Sequence, residues 1–216
     1  DAVAAAAERR VTVRTTADGK FMKTYPAAPE WLGGLPGAEM RVFDVGQAWG
    51  GVLHAKYFLM DNDVFWVGSQ NFDWRALGQI HELGVLVLHE GVAADVRRIY
   101  DLDWGIAGGE IEADHPEPPI VPIAELPKHR LTTPHGDTVG AVVGGSPAHG
   151  LPRGIPWDLP LLIEMIDAAA DSVHLQLLSY GVTDRENRLF DDLDSALRRA
   201  AVRGAQVRII LSNWSK

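Results

Sequence analysis

Most of the chain's thirteen prolines fall between residues 109 and 157. Proline holds φ near about −65° and has no amide proton, so neither a long helix nor a central strand runs through such a stretch. Glycines, and five acidic residues between Glu110 and Glu125, add to its irregular, polar character. The chain is therefore expected to fold as two regular segments, residues 1–108 and 158–216, joined by a Pro/Gly-rich connection over residues 109–157.

In the first segment, residues 1–10 read as the end of a helix and Val11 to Arg14 as the strand after it. Residues 18–37 read as surface loop with a short helix, Met40 to Val45 as a strand and Gly46 to Gly51 as a loop. Two apolar runs follow, Val52 to Met60 and Val64 to Val67, separated by Asp61-Asn62-Asp63, which is a hairpin pattern. Leu83 to Leu88 reads as a buried strand. Val92 to Trp104 has helical spacing, with Asp101 and Asp103 at a solvated end.

Beyond the connection, Asp158 reads as an N-cap, Leu162, Ile163 and Ile166 as one helical face, and Ser172 to Leu178 as a strand in which His174 is a core residue. Asp191 to Val202 is a helix, acidic at its start and basic at its end as the macrodipole favours, followed by a strand from Ala205 to Leu211. This alternation implies an α/β fold, a mixed β-sheet with helices on both faces.

The two ends resemble each other. Placing Val13-Arg14 on Val207-Arg208 aligns Ala2 with Ala196 and Arg9 with Arg203 without a gap. Together with an Ala-rich start that reads as mid-helix and lacks Met, this suggests one period of a tandem duplication, cut out of phase. The net charge of −9 argues against a broad basic surface for duplex nucleic acid. The absence of cysteine excludes disulfides, thiolate catalysis and Cys-ligated zinc. No apolar run reaches the roughly 20 residues that span a bilayer.

The chemically informative segment runs from His54 to Asn71 and reads H-x-K-x4-D-x6-G-S-x-N, with His54, Lys56, Asp61, Gly68, Ser69 and Asn71 at the fixed positions. Residues two apart on a strand share a face, so His54 and Lys56 are expected to project together, as are Ser69 and Asn71. An imidazole, an ammonium, a carboxamide and a hydroxyl converging on one spot suit the non-bridging oxygens of a phosphate. The irregularly spaced His115, His129, His135 and His149 make no convincing metal set.

This segment resembles the HKD motif of the phospholipase D superfamily. The wider run, through Phe72-Asp73-Trp74-Arg75 to Glu82-Leu-Gly-Val85, is similar to the animal lysosomal phospholipase D-like proteins and their bacterial relatives. The resemblance implies the family's α/β/α sandwich. It makes His54 the nucleophile that forms a phosphohistidine, with Lys56 and Asn71 holding phosphate oxygens and Ser69 assisting. Glu82 is the carboxylate chosen to orient the imidazole. Asp61, Gly68, Asp73 and Arg75 are motif residues with structural roles, Asp61 in a turn or salt bridge. His81 is expected to face away from Glu82, and Phe72 and Trp74 to lie in the core or at its rim. No metal or organic cofactor is implied.

Family members work with two facing HKD motifs, and this chain holds one. The expected partner is a second motif, from a downstream repeat absent here or from a homodimer. By this reading residues 1–108 are the later part of one repeat and residues 158–216 the start of the next, its HKD motif missing. The implied activity is metal-independent hydrolysis or transfer of phosphodiesters, either phospholipid headgroups or single-stranded nucleic acid. Trp31-Leu32 and Trp49 are the apolar loops that could select lipid. The alternative is a catalytically silent scaffold or interaction domain.

Overall fold

The computed structural model describes residues 2–184 and 186–213, so the Trp214-Ser215-Lys216 end lies outside the described residues. The elements in chain order are α1 (Ala2–Glu8), β1 (Val13–Asp18), α2 (Gly19–Met22), α3 (Ala27–Gly33), β2 (Ala38–Phe43), α4 (Val45–Trp49), β3 (Lys56–Met60), β4 (Val64–Gly68), α5 (Trp74–Gly78) and β5 (Gly84–Leu88). They continue with α6 (Glu90–Ala107), β6 (His129–Thr132), β7 (Thr138–Ala141), a 3-10 turn (Ala148–Gly150), α7 (Asp158–Ala168), β8 (Ser172–Leu177), α8 (Asp192–Val202) and β9 (Gln206–Leu211). The α/β class is as expected, with parallel and antiparallel pairing in separate small sheets. Two compact units result, Asp1–Pro118 with Pro127–Ile155, and Pro119–Leu126 with Pro156–Lys216.

In the first unit β1 and β2 pair in parallel, while β3, β4 and β5 form an antiparallel sheet in that order. Helix α6 contacts both sheets. Its start is capped by His89, whose Nδ1 accepts from the Val92 amide at 3.3 Å. Val92, Ala93 and Val96, spaced for one helical face, pack with Phe65 and cover Tyr57, Leu59, Val67 and Val87. Each such large side chain contributes roughly 1.5–3 kcal/mol when fully buried. Further along α6, the Arg41 guanidinium lies 4.4 Å from the Trp104 ring centroid, donates to the Trp104 carbonyl at 2.6 Å and pairs with Glu110 at 2.8 Å.

Several local expectations change. Residues 18–37 hold two short helices, and Val45–Trp49 is helical rather than loop. Asp103 is not at a solvated helix end: it is 8 % exposed, because α6 turns that side against β-structure. Burial pushes its carboxyl up to about 7. Leu83 to Leu88 is largely exposed, since α6 covers the opposite side of this sheet. The connection carries the β6–β7 hairpin, whose His129 binds Asp95 on α6 at 2.8 Å.

In the second unit β8 and β9 pair in parallel, and α7 and α8 bury Ile166, Ala196, Leu197 and Ala200 against Val173, Leu175 and Val207. Leu162 is exposed, and Asp158 is the first helical residue, with Trp157 at the cap position. His174 is exposed because strand alternation turns it away from the face that Val173 and Leu175 bury. Arg199 and Arg203 do more than complement a dipole: both bind Asp167 on α7.

Candidate active site

The antiparallel order β3–β4–β5 places the start of β3, the end of β4 and the start of β5 at one end of the sheet. Lys56 pairs with Gly68, and Gly68 with Gly84. Lys56, Ser69, Asn71 and Glu82, residues far apart in sequence, are therefore carried to the same sheet end that His54 approaches.

The strand expected from Val52 begins only at Lys56. Strand β4 ends at Gly68 opposite Lys56, so Ala55 and His54 have no ladder partner. His54 thus lies in an irregular, exposed segment two residues ahead of the ladder rather than on a strand face. Lys56 is half-buried, and burial lowers its pKa against the opposing charge of Glu82. Among the described residues no hydrogen bond joins His54 to Glu82, so the expected imidazole–carboxylate bond is not formed in this structure.

Ser69 occupies its hydroxyl locally. Its Oγ accepts from the Leu83 amide at 3.1 Å and lies 3.4 Å from the Leu83 carbonyl, while the Ser69 amide donates to that carbonyl at 3.0 Å. The residue ties the end of β4 to the chain that carries Glu82. Asn71 is exposed just beyond.

The remaining motif residues have legible roles. Asp61 adopts φ 50° in the turn at the opposite end of β3, with its carbonyl accepting from Arg97. Asp tolerates that left-handed conformation better than most side chains. Asp73 caps α5, accepting from the Arg75 and Ala76 amides, both at 2.9 Å. Asp73 and Arg75 are thus partners through a backbone amide. Trp74 is 71 % exposed and Phe72 is also exposed, so neither is a core residue.

Sequence reading missed Trp66 and its reason for needing glycine. The indole lies across Gly68 and Gly84: a Cβ on either would meet Trp66 ring atoms at 2.7 and 2.9 Å. Trp66 also stacks on Phe58 at 5.2 Å, and Phe72 leans on both rings at 6.0 and 5.6 Å. The register supplies a signal, since Phe58, Trp66 and Leu86 are cross-strand partners on the Lys56 face. Gln70 was also missed. Its Oε1 is buried beside Gly68 without a hydrogen-bond partner among the described residues.

A cavity of about 840 Å3 lies elsewhere, lined by Phe43, Asp44, Trp49, Ile111, Asp114 and His149 among others, and includes none of the motif residues. Trp49, expected beside the cleft, donates from Nε1 to the Ala113 carbonyl at 2.9 Å and packs edge-on to Phe43. Among the described residues no group of three or more His, Cys, Asp or Glu could hold a metal ion, and no helix is long and apolar enough to cross a membrane.

The family described as PLD3/4, PLD-like domain matches residues 36–216, which include the whole motif. The chain belongs to this phospholipase D-like family. The 5'-3' exonuclease PLD3 of Rattus norvegicus is 32% identical over 190 residues, covering 82% of this chain and 38% of the relative. The human protein of the same name is 31% identical over the same length. A probable phospholipase D of Caenorhabditis elegans is 29% identical over 224 residues, covering 99% of this chain and 40% of the relative. This phospholipase D-like chain therefore spans about two fifths of the length of the relatives it matches.

Proposed function

We propose that the chain provides one half-site of a metal-independent phosphodiesterase. The observation that carries this reading is the gathering of His54, Lys56, Asn71 and Glu82 at one end of the β3–β4–β5 sheet. An imidazole nitrogen of His54 bonds to phosphorus as the phosphorus–oxygen bond to the leaving group breaks. Lys56 and the Asn71 carboxamide hold the non-bridging oxygens, and Glu82 favours the charged form of Lys56 and is the carboxylate that orients His54. Ser69 acts by holding β5 in register. The leaving oxygen takes a proton from the histidine of a second HKD motif, which later deprotonates the water that cleaves the phosphorus–nitrogen bond.

That second motif comes from a downstream repeat, the source implied by residues 158–216 as the start of another repeat, or from a second copy of this chain. Single-stranded nucleic acid is the favoured substrate. Two relatives are named as 5'-3' exonucleases, and the sheet that holds Lys56 exposes the rings of Phe58 and Phe72 on the same face. A phospholipid headgroup presents the same diester and is the competing substrate.

The test is an assay of a chromogenic phosphodiester and a 5'-labelled oligonucleotide in excess EDTA, beside His54→Ala, with the mass in solution measured in parallel. EDTA-resistant turnover that disappears in His54→Ala supports the reading. Robust turnover by a proven monomer would sink the half-site proposal. Turnover undiminished in His54→Ala would instead favour chemistry elsewhere, and a silent scaffold is favoured if no phosphodiester or vanadate engages His54.

A further inference from the structure

Catalysis by a nucleophile depends on placement: a displacement of about 1 Å can cost on the order of a hundredfold in rate. How His54 is held is therefore a question with consequences. Its side chain has no hydrogen-bond partner among the described residues, so the imidazole is only as well placed as the backbone that bears it. On the C-terminal side the ladder begins at Lys56. On the N-terminal side α4 ends at Trp49 and is followed by Gly50, in the left-handed region at φ 76°, and Gly51. Two consecutive glycines restrain the chain least of all residue pairs.

Between these limits, one hydrogen bond holds the backbone of residues 51–55 among the described residues. The Leu53 amide donates to Asp18 Oδ2 at 2.6 Å. Asp18 is the last residue of β1 and is 8 % exposed. Its other oxygen, Oδ1, accepts from the Lys20 amide at 2.8 Å and so caps α2. Capping explains Oδ1 and needs only one oxygen; serine or asparagine does it equally well. It does not explain why a carboxylate is buried with its second oxygen on the amide adjacent to His54, 35 residues away. Burying an anion is costly unless each oxygen is paired, and here both are.

We propose that Asp18 is a positioning residue for the nucleophile: one carboxylate oxygen is anchored on the start of α2 and the other clamps Leu53, fixing the backbone from which His54 projects. The proposal rests on His54 being the nucleophile. It adds a residue outside the motif and links the parallel β1–β2 sheet to the chemistry at the end of β3.

Two probes separate positioning from general stability. Orthovanadate binds through a coordinate bond from the nucleophilic nitrogen and so reads the position of His54. Inorganic phosphate is held by Lys56 and Asn71 and reads the rest of the site. In Asp18→Ser the hydroxyl still caps Lys20 but is too short to reach Leu53 as well. We expect vanadate affinity to fall about tenfold or more in this variant, as for other residues that orient a ligating histidine, with phosphate affinity changed less than about threefold. The Leu53 amide is expected to exchange slowly in the wild type and as fast as its neighbours in the variant. Asp18→Asn, which keeps side-chain volume but leaves one oxygen for two amides, serves if the serine variant does not fold, and the same split is expected.

Equal losses of vanadate and phosphate affinity, or vanadate affinity unchanged in a folded Asp18 variant, overturn the proposal. So does an unprotected Leu53 amide in the wild type. Vanadate affinity unchanged in His54→Ala is the separate result that removes the nucleophile assignment itself, whatever Asp18 does.

Discussion

At the residue scale, the motif glycine and a buried acid carry the clearest consequences. Gly68 is needed because the Trp66 indole occupies the space a side chain would take. Gly68→Ala must displace that ring, and we expect a loss of about 1–3 kcal/mol in urea unfolding, the usual cost of overpacking. Asp103 has a folded-state pKa raised from 3.8 to about 7 by burial. The folded protein thus binds this proton more tightly than the unfolded chain does. Its destabilising effect is absent below about pH 4, grows as pH rises, and is complete above about pH 7, where it reaches at most on the order of 4 kcal/mol. Asp103→Asn should flatten the stability profile between those limits and be the more stable protein at pH 8. Equal unfolding midpoints for the two proteins at pH 8 would contradict this.

At the element scale, α5 is five residues long and too short to persist on its own propensity. The Asp73 carboxylate, bonded to two of its first amides, keeps it formed. Asp73→Ala should cost about 1 kcal/mol and Asp73→Ser much less, as measured by thermal denaturation. Because α5 lies between the ends of β4 and β5, the alanine variant should also weaken phosphate binding at Asn71. The hairpin and helix patterns were legible from residue periodicity: β4, α6 and β8 fall where the apolar spacing puts them, whereas β3 begins four residues later than its apolar run. The short helices α2, α3 and α4 were not, since one turn of helix has no periodicity to read and depends on caps such as Asp18 and Asp44.

At the scale of the whole chain, two cores are built from different residues, Phe65 with Val92, Ala93 and Val96 in one unit and Ile166 with Ala196, Leu197 and Ala200 in the other. Leu197→Ala opens a cavity in the second and should cost about 2–5 kcal/mol there. Hydrogen exchange should then accelerate in β8 and β9 while β3 to β5 keep their protection. Uniform acceleration would show that the two units unfold as one.

The sequence by itself singled out His54, Lys56 and Asn71 as the proposed nucleophile, cation and amide, because these residues, with Gly68 and Ser69, stand at spacings that a hairpin brings to one sheet end. Local periodicity likewise settled the α/β class. Which oxygen holds which amide was decided only in three dimensions. That His54 stands off the ladder depends on where β4 stops; that Ser69 is tied to Leu83, and Asp18 to Leu53, depends on segments 14 and 35 residues apart meeting. The exposure of Leu83 to Leu88 and the burial of Asp103 follow from which side α6 covers. Periodicity marks a face as apolar, and only packing decides which face is covered.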